Sequence, residues 1–247
     1  NDLINWVAGQ DNKTGDEAGP GGTVTVRPSV HGDVIHSRPV VVNYGDTRGT
    51  VVYYGANDGV YRAVNGSQTQ ALGTTPPGGE LWGLVAPEHF KKLNRLREND
   101  PDLKFSTSGS SAARPKDYFF DGSTGLYQTL NADGRTTNEA ILYVTMRRGG
   151  RSMYAIDVAD PASPKVLWRI SNEDAAFGEL GETWSRPRLA LTNLPSSLTK
   201  SATDAATAVR PVLAFGAGYS GGYDAAGIPL GEDAEPPKVN TMGRGIY

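Results

Sequence analysis

His31, Asp33 and His36 stand close together near the start of the chain, and imidazole beside carboxylate is the usual equipment for proton transfer or metal binding. Their spacing argues against a shared site. Five positions separate the histidines, so in an extended strand, where successive side chains alternate faces, the two rings point to opposite sides. Structural, hydrogen-bonded histidines are the expectation, and the third, His89, falls in a helical segment. Two acidic fragments suggest calcium loops: Asn131-Ala132-Asp133-Gly134, and the stretch holding Asp11, Asn12, Asp16 and Glu17. A calcium loop of about twelve residues beginning at Asn131 needs a bidentate carboxylate at its last position, where Leu142 stands. Both fragments read as solvated turns, and no metal ligand is assigned.

The densest positive cluster is Arg147, Arg148 and Arg151 around Gly149-Gly150. Exposed loops carry function on many folds, and one this basic can receive an acidic partner; these arginines form the candidate interaction loop. Asn57-Asp58-Gly59 is turn chemistry first, because Asn and Asp tolerate left-handed backbone and Gly adopts it freely. Its carboxylate is also placed to bond across to a neighbouring sheet. No residue is assigned a catalytic role.

Zero cysteines remove disulfides, thiolate metal sites and cysteine nucleophiles together. A net charge of −3 with interspersed signs gives no basic stripe for phosphates, so nucleic acid is not an expected partner. No apolar run approaches the roughly 20 residues that span a bilayer, and no signal-like segment follows Asn1, so membrane insertion is not expected and the chain reads as an excerpt or processed product. Gly (31) and Pro (16) make up about a fifth of the 247 residues, which favours many turns over long helices.

The elements that must position these residues follow from periodicity. Leu3, Trp6 and Val7 have helical spacing behind Asn1 and Asp2, which are suited to cap them, and the pattern stops at Gly9. Polar, Gly-rich sequence follows from Asp11 to Gly22. Beyond Val24, short β-branched and aromatic runs take over: Val40 to Val42, Val51 to Gly55, Gly59 to Val64 and Leu81 to Val85. Four such strands in succession are what one propeller blade requires. Pro87 opens a helical segment with Phe90, Leu93 and Leu96 on one face and Lys91, Lys92, Arg95 and Arg97 around the remainder, read as solvated. Strand signals resume at Tyr118 to Phe120, Gly125 to Gln128, Ile141 to Met146, Ser152 to Val158, Lys165 to Ile170, Arg186 to Leu191, Arg210 to Gly216 and Gly243 to Tyr247.

Several segments repeat. VVYYGANDGVYRAVN (51–65), ILYVTMRRGGRSMYAIDV (141–158) and VLAFGAGYSGG with its later MGRGIY (212–247) share a strand, a Gly-containing turn and a strand. HSRPVVV (36–42) echoes WSRPRLA (184–190), and ELWGLV (80–85) echoes VLWRI (166–170). Ser-Arg-Pro precedes a first strand, where Pro removes no ladder bond, and Leu-Trp belongs to a later strand whose indole can fill between blades. The fold expected is an all-β, modified, partial β-propeller of three to four blades with short helical insertions. Residues 1–23 form an N-terminal helix and linker, and 24–247 the propeller portion with a helical and loop insertion at about 87–117.

HGDVIHSRPVVVNYG (31–45) followed by YYGANDGVYRAVNG (53–66) closely resembles the C-terminal domain of the PilC/PilY family, and LWGLVAPEHFKKLNRLR, YFFDG, YVTMRRGGRSMYAIDVADPASPKVLW and TMGRGIY keep the family order to Tyr247. The resemblance implies a quinoprotein-dehydrogenase-like propeller on a non-catalytic protein that supports type IV pilus extension, surface adhesion and twitching motility. It further implies minor pilins of a pilus tip complex and a host or abiotic surface as partners. The implied location is the pilus tip or outer cell surface after periplasmic passage. It places the family's Asp-rich calcium loop after Tyr247, so calcium is expected in the full-length protein and no cofactor within this chain. The alternative is a quinoprotein-like propeller dehydrogenase, for which Ala155-Ile156-Asp157 with Trp168 resembles a tryptophan-docking repeat; such enzymes usually stack the quinone on a vicinal disulfide, and cysteine is absent here.

Overall fold

A computed structural model describes residues 1–13, 26–103, 114–193, 209–221 and 242–247. Most of the Gly-rich linker, the strand start at Val24, the centre of the loop after Leu103, the insertion through Asp204 and the Gly/Pro-rich segment after Gly221 lie outside the described residues.

The β-branched runs form strands where their alternation predicts. The first sheet is a four-stranded antiparallel meander in the order β1 (Val40–Asn43), β2 (Thr50–Gly55), β3 (Val60–Asn65) and β4 (Glu80–Val85). After α2 (Phe90–Glu98) comes a second meander of the same order, β5 (Gly125–Leu130), β6 (Thr137–Thr145), β7 (Ser152–Asp157) and β8 (Lys165–Ser171). β9 (Arg188–Asn193) pairs antiparallel with β10 (Val209–Ala214), and the chain end continues that sheet: Phe215 and Tyr247 exchange backbone bonds of 3.0 and 2.9 Å, and Gly216 bridges Ile246. The chain is thus an all-β fold of propeller-type sheets. Two sheets are complete and a third is partial among the described residues.

The repeat read from sequence has a structural basis in matching detail. The β3–β4 ladder shifts register between Ala63 and Val64, and the β7–β8 ladder between Ala155 and Ile156. Trp82 on β4 lies 5.8 Å from Tyr53 on β2, and Trp168 on β8 lies 5.9 Å from Tyr143 on β6. The Ser-Arg-Pro steps behave alike: the Ser37 hydroxyl accepts the N–H of Gly55 at 2.9 Å, and that of Ser185 accepts the N–H of Gly216 at 2.9 Å.

The sheets stack face to face. Val51 and Tyr53 of the first pack with Leu142, Val144, Tyr154 and Ile156 of the second in one core. The opposite face of the second sheet, with Ile141, Tyr143, Met153 and Ala155, packs with Leu213, Phe215 and Tyr247 of the third. Period-2 alternation makes this possible, since each strand offers side chains to both faces. The Trp82 indole strengthens the first junction by donating to Pro161 O at 2.8 Å.

Several expectations are corrected. Tyr118 to Phe120 is not a strand; Phe119 and Phe120 are fully buried in irregular backbone, where their rings fill the space under α2. Pro87 opens a 3-10 turn (Pro87–His89) ahead of α2, and on α2 only Leu93 is buried, while Phe90 and Leu96 are exposed. α1 (Asp2–Val7) buries Trp6, but Asn1 at its N-cap position makes no side-chain capping bond.

Gly149, in the β6–β7 turn, marks the closest backbone approach: a Cβ there would sit 1.5 Å from Phe119 O. Gly149→Ala should therefore destabilise the fold by about 1–3 kcal/mol, the usual range for overpacking. Gly178→Ala, whose added atom meets nothing nearer than 4.0 Å, should change it little. Urea unfolding of both variants checks this.

Candidate functional site

The strand ends that meet at the first junction are tied by buried polar groups. The Asp121 carboxylate, its side chain fully buried, accepts from His36 Nδ1 at 2.7 Å, from the His36 backbone N–H at 3.3 Å and from Asn57 Nδ2 at 3.1 Å. Asn57 Oδ1 accepts the Phe119 N–H at 3.1 Å. The β2–β3 turn therefore does reach the second sheet, but through Asn57. The Asp58 carboxylate stays at home: it receives the N–H groups of Gly32 (2.9 Å) and Val60 (3.0 Å) and pairs with Arg62 at 2.7 Å. A buried carboxylate needs such compensation, because removal from water disfavours its charge.

His31 and His36 do not share a site. His31 Nδ1 donates to Gly32 O at 2.6 Å, and Nε2 is 2.8 Å from the Tyr54 hydroxyl. Asp33 pairs with Lys116. Among the described residues no group of three or more His, Cys, Asp or Glu is arranged to hold a metal ion. Asp133 is engaged by its own turn, accepting the N–H groups of Arg135 and Thr136, each at 2.9 Å, and the Thr136 hydroxyl at 2.6 Å, bonds that hold its carboxyl below the ordinary range. Asn12 donates to Asp2 O at 2.7 Å, and Asp16 and Glu17 lie outside the described residues.

The basic residues of α2 are not simply solvated. Lys92 extends inward to donate to Tyr118 O (3.1 Å) and Gly149 O (2.7 Å); burial pushes its ammonium down, against the pull of Asp117, Glu182 and Glu88. Arg95 donates to the carbonyls of Pro115 (2.8 Å) and Arg114 (3.0 Å) and pairs with Asp117 at 2.9 Å. These cations fasten irregular backbone whose carbonyls have no ladder partner. Nothing in the residue types alone distinguishes them from a solvated basic face.

His89 is fully buried, edge-on to Phe119 at 5.1 Å and Phe120 at 4.8 Å, with the backbone of Gly149 and Gly59 beside its ring. Burial, reinforced by the Lys92 charge, pushes it down to about 3. Beside it, burial opposes ionisation of Glu88, but hydrogen bonds from Tyr154 (2.7 Å) and Arg169 outweigh it and hold the carboxyl down at about 2.

The candidate interaction loop lies at the second junction. Arg147 has φ +52°, its N–H reaches Thr183 O at 3.3 Å, and its guanidinium covers Trp184 at 4.0 Å. Arg148 is exposed, 5.6 Å from Trp184 and 5.9 Å from Tyr118. Arg151 is half-buried, its carbonyl accepting the Asn172 N–H at 3.3 Å. None of the three forms a salt bridge among the described residues. Trp184 and Tyr219, 5.4 Å apart, wall a shallow cleft of about 420 Å³ beside them, floored by Gly216, Gly218, Gly243 and Gly245. Trp184 carries no site signal in the sequence beyond its place in the Ser-Arg-Pro echo (184–190).

Folding stability should fall as pH drops below about 6.5, because unfolded His89 then binds a proton that the native state refuses until about pH 3. The slope in this window should be about 1.4 kcal/mol per pH unit. Glu88, lowered instead, adds its own loss only below its ordinary value of 4.5. Urea titrations between pH 6.5 and 5 isolate His89: His89→Gln should flatten the profile there, and an unchanged slope would assign the acid sensitivity elsewhere.

No family profile matches the chain. It is homologous to segments of curated proteins. It is 27% identical over 210 residues to the type IV pilus biogenesis factor PilY1 of Pseudomonas aeruginosa (strain UCBPP-PA14), covering 76% of this chain and 15% of that protein. It is 24% identical over 213 residues to a PilY1 homolog of Xylella fastidiosa (strain Temecula1 / ATCC 700964), covering 77% and 15%. Among solved structures, the crystal structure of the Pseudomonas aeruginosa PilY1 C-terminal domain aligns with TM-score 0.42 at 24% identity, covering 70% of this chain and 26% of that one. The chain thus spans about 15% of the length of the curated relatives it matches.

Proposed function

We propose that this chain is the propeller-type part of a type IV pilus assembly and tip protein that acts through protein and surface contacts, without catalysis. The observation that carries the reading is homology across about three-quarters of the chain to proteins named as type IV pilus biogenesis factors. Contact with minor pilins of the tip complex, adhesion to host or abiotic surfaces, support of pilus extension and twitching, and an extracellular location after periplasmic passage belong to this proposal. So does a calcium ion in the full-length protein, outside these residues.

The arginine loop fits a contact role. Arg148 is exposed and has no carboxylate partner among the described residues, so an acidic protein surface gains charge-assisted bonds there without first breaking a pair with one of them. The residues behind the quinoprotein alternative have packing roles here. Ala155 and Ile156 form the β7 register shift, Asp157 accepts the Ala159 N–H at 2.9 Å, and Trp168 stacks on Tyr143.

Removing residues 26–247 from the encoded protein in its own host should abolish or sharply reduce surface pili and twitching zones, and normal piliation would overturn the reading. Arg148→Glu tests the loop more finely. It should leave folding unchanged and weaken capture of purified minor pilins by about tenfold at low salt, with a smaller difference at high salt as screening grows. Equal capture by both forms at all salt concentrations would remove the loop from the interface.

A further inference from the structure

Two guanidiniums share one indole in the β6–β7 loop. Arg147 lies over Trp184 at 4.0 Å, and Arg148 lies 5.6 Å from the same ring and 5.9 Å from Tyr118. Like charges held this close repel, and an anion between them removes the repulsion. The nearby carboxylate, Glu182, accepts Trp184 Nε1 at 3.1 Å, and neither arginine forms a salt bridge among the described residues. The two lysines that reach Tyr118 are matched: Lys116 pairs with Asp33, and Lys92 donates to the carbonyls of Tyr118 and Gly149. The unmatched charge around these rings is that of Arg147 and Arg148.

The loop holds this pair at a conformational cost. Arg147 has φ +52°, left-handed backbone in which glycine is relaxed and a residue with a Cβ is not. Its N–H reaches Thr183 O and its carbonyl accepts the Gly150 N–H, each at 3.3 Å, so the backbone is tied on both sides. Such backbone persists where the surroundings fix it, and an outlier that carries a recognition side chain points to binding. Arg147 Nε is buried without a partner among the described residues, and the two Nη groups are left to solvent. A guanidinium stacked by its face offers its N–H edge, and the fork at that edge matches both oxygens of a carboxylate.

The size and geometry of the patch select the ligand. A nucleic acid takes a stripe of cations along successive phosphates, and this patch has two. A sugar packs on an open ring face, whereas the Trp184 ring is met by Arg147, Arg148 and Tyr219. An extended peptide fits: side chains at alternate positions of a strand share a face, roughly 7 Å apart, a spacing that two neighbouring forks can span.

We propose that Arg147 and Arg148 together form a receptor for two carboxylates at alternate positions of an extended acidic segment of a partner protein. The inference rests on the contact role proposed above for this loop and gives that contact its chemistry. Each fork binds one carboxylate, so arginine is required, and lysine, a point charge, does not substitute.

Fluorescence anisotropy at low salt, with a labelled peptide of alternating Glu and Thr and its Gln-for-Glu analogue, tests this. The protein should bind the Glu peptide about tenfold or more tightly than the analogue. Arg147→Lys and Arg148→Lys should each weaken binding by about fivefold although charge is preserved, with circular dichroism unchanged. The assay contains no pilus component, so a peptide that fails to bind leaves the pilus reading standing, and normal piliation in the deletion test leaves the peptide result as it is. Equal binding of the two peptides overturns the proposal, as does undiminished binding by the doubly substituted Arg147→Lys, Arg148→Lys protein. Tighter binding of a galacturonate oligomer or of inorganic sulfate than of the Glu peptide also overturns it, by assigning the pair to an acidic glycan or to a simple anion.

Discussion

The second sheet has no face to give to water along β7, and the arrangement of the other sheets follows from that. Met153 and Ala155 point to the third sheet while Tyr154 and Ile156 point to the first, and all four are buried. A half-buried strand can slip by one residue only by exchanging an apolar face for a polar one. A strand buried on both faces has a different constraint, the sizes on each side. Ala155 is small where Trp168 crosses beside it, and Ala63 is small opposite Trp82. Each alanine leaves room for the indole of the outer strand to reach the inner tyrosine, and the local register shift sits at the same point in both sheets. The repeated unit is therefore a packing solution as much as a sequence pattern.

Burial of large apolar side chains, worth roughly 1.5–3 kcal/mol each, supplies the attraction between sheets but not their angular placement. That falls to polar groups at the strand ends. Asp121 gathers His36 and Asn57, Glu88 gathers Tyr154 and Arg169, and Lys92 caps one carbonyl in the lead-in to the second sheet and one in its β6–β7 turn. Such buried groups add little net stability once desolvation is counted, yet breaking one leaves an uncompensated charge. They act as constraints on which faces may meet. His89 is the exception. It packs as an aromatic ring whose burial disfavours the charged form.

What was legible in the sequence divides along the same line. Strands whose apolar residues alternate were placed within a residue or two, as at Val51 to Gly55 and Ser152 to Val158, because period 2 is written into the residues themselves. The Ser-Arg-Pro and Leu-Trp echoes identified real structural equivalents. Tyr118 to Phe120 misled because three aromatics in a row signal a strand, while their burial here comes from a helix that sequence alone does not dock. The amphipathic reading of α2 failed for the same reason: Lys92 and Arg95 face carbonyls that exist only after the chain has folded back. The separation of His31 from His36 followed from spacing, but the Asp121 partner, 85 positions away, had no local signal.

Comparing equivalent turns shows where function is free to vary in a repeated scaffold. The β2–β3 turn directs Asn57 and Asp58 inward, at 4% and 8% exposure, and all their bonds are internal. The β6–β7 turn occupies the same place in the second sheet, where Arg147 lies over Trp184 and Arg148 turns out to solvent. Packing needs only one of these turns to be closed by its own side chains, because Gly149 brings the second one against Phe119 by backbone alone. That close approach releases the neighbouring arginines from a structural duty. A scaffold that secures its turns through glycine backbone can thus carry charged side chains outward at the same site, and recognition can change there without disturbing the stacked sheets.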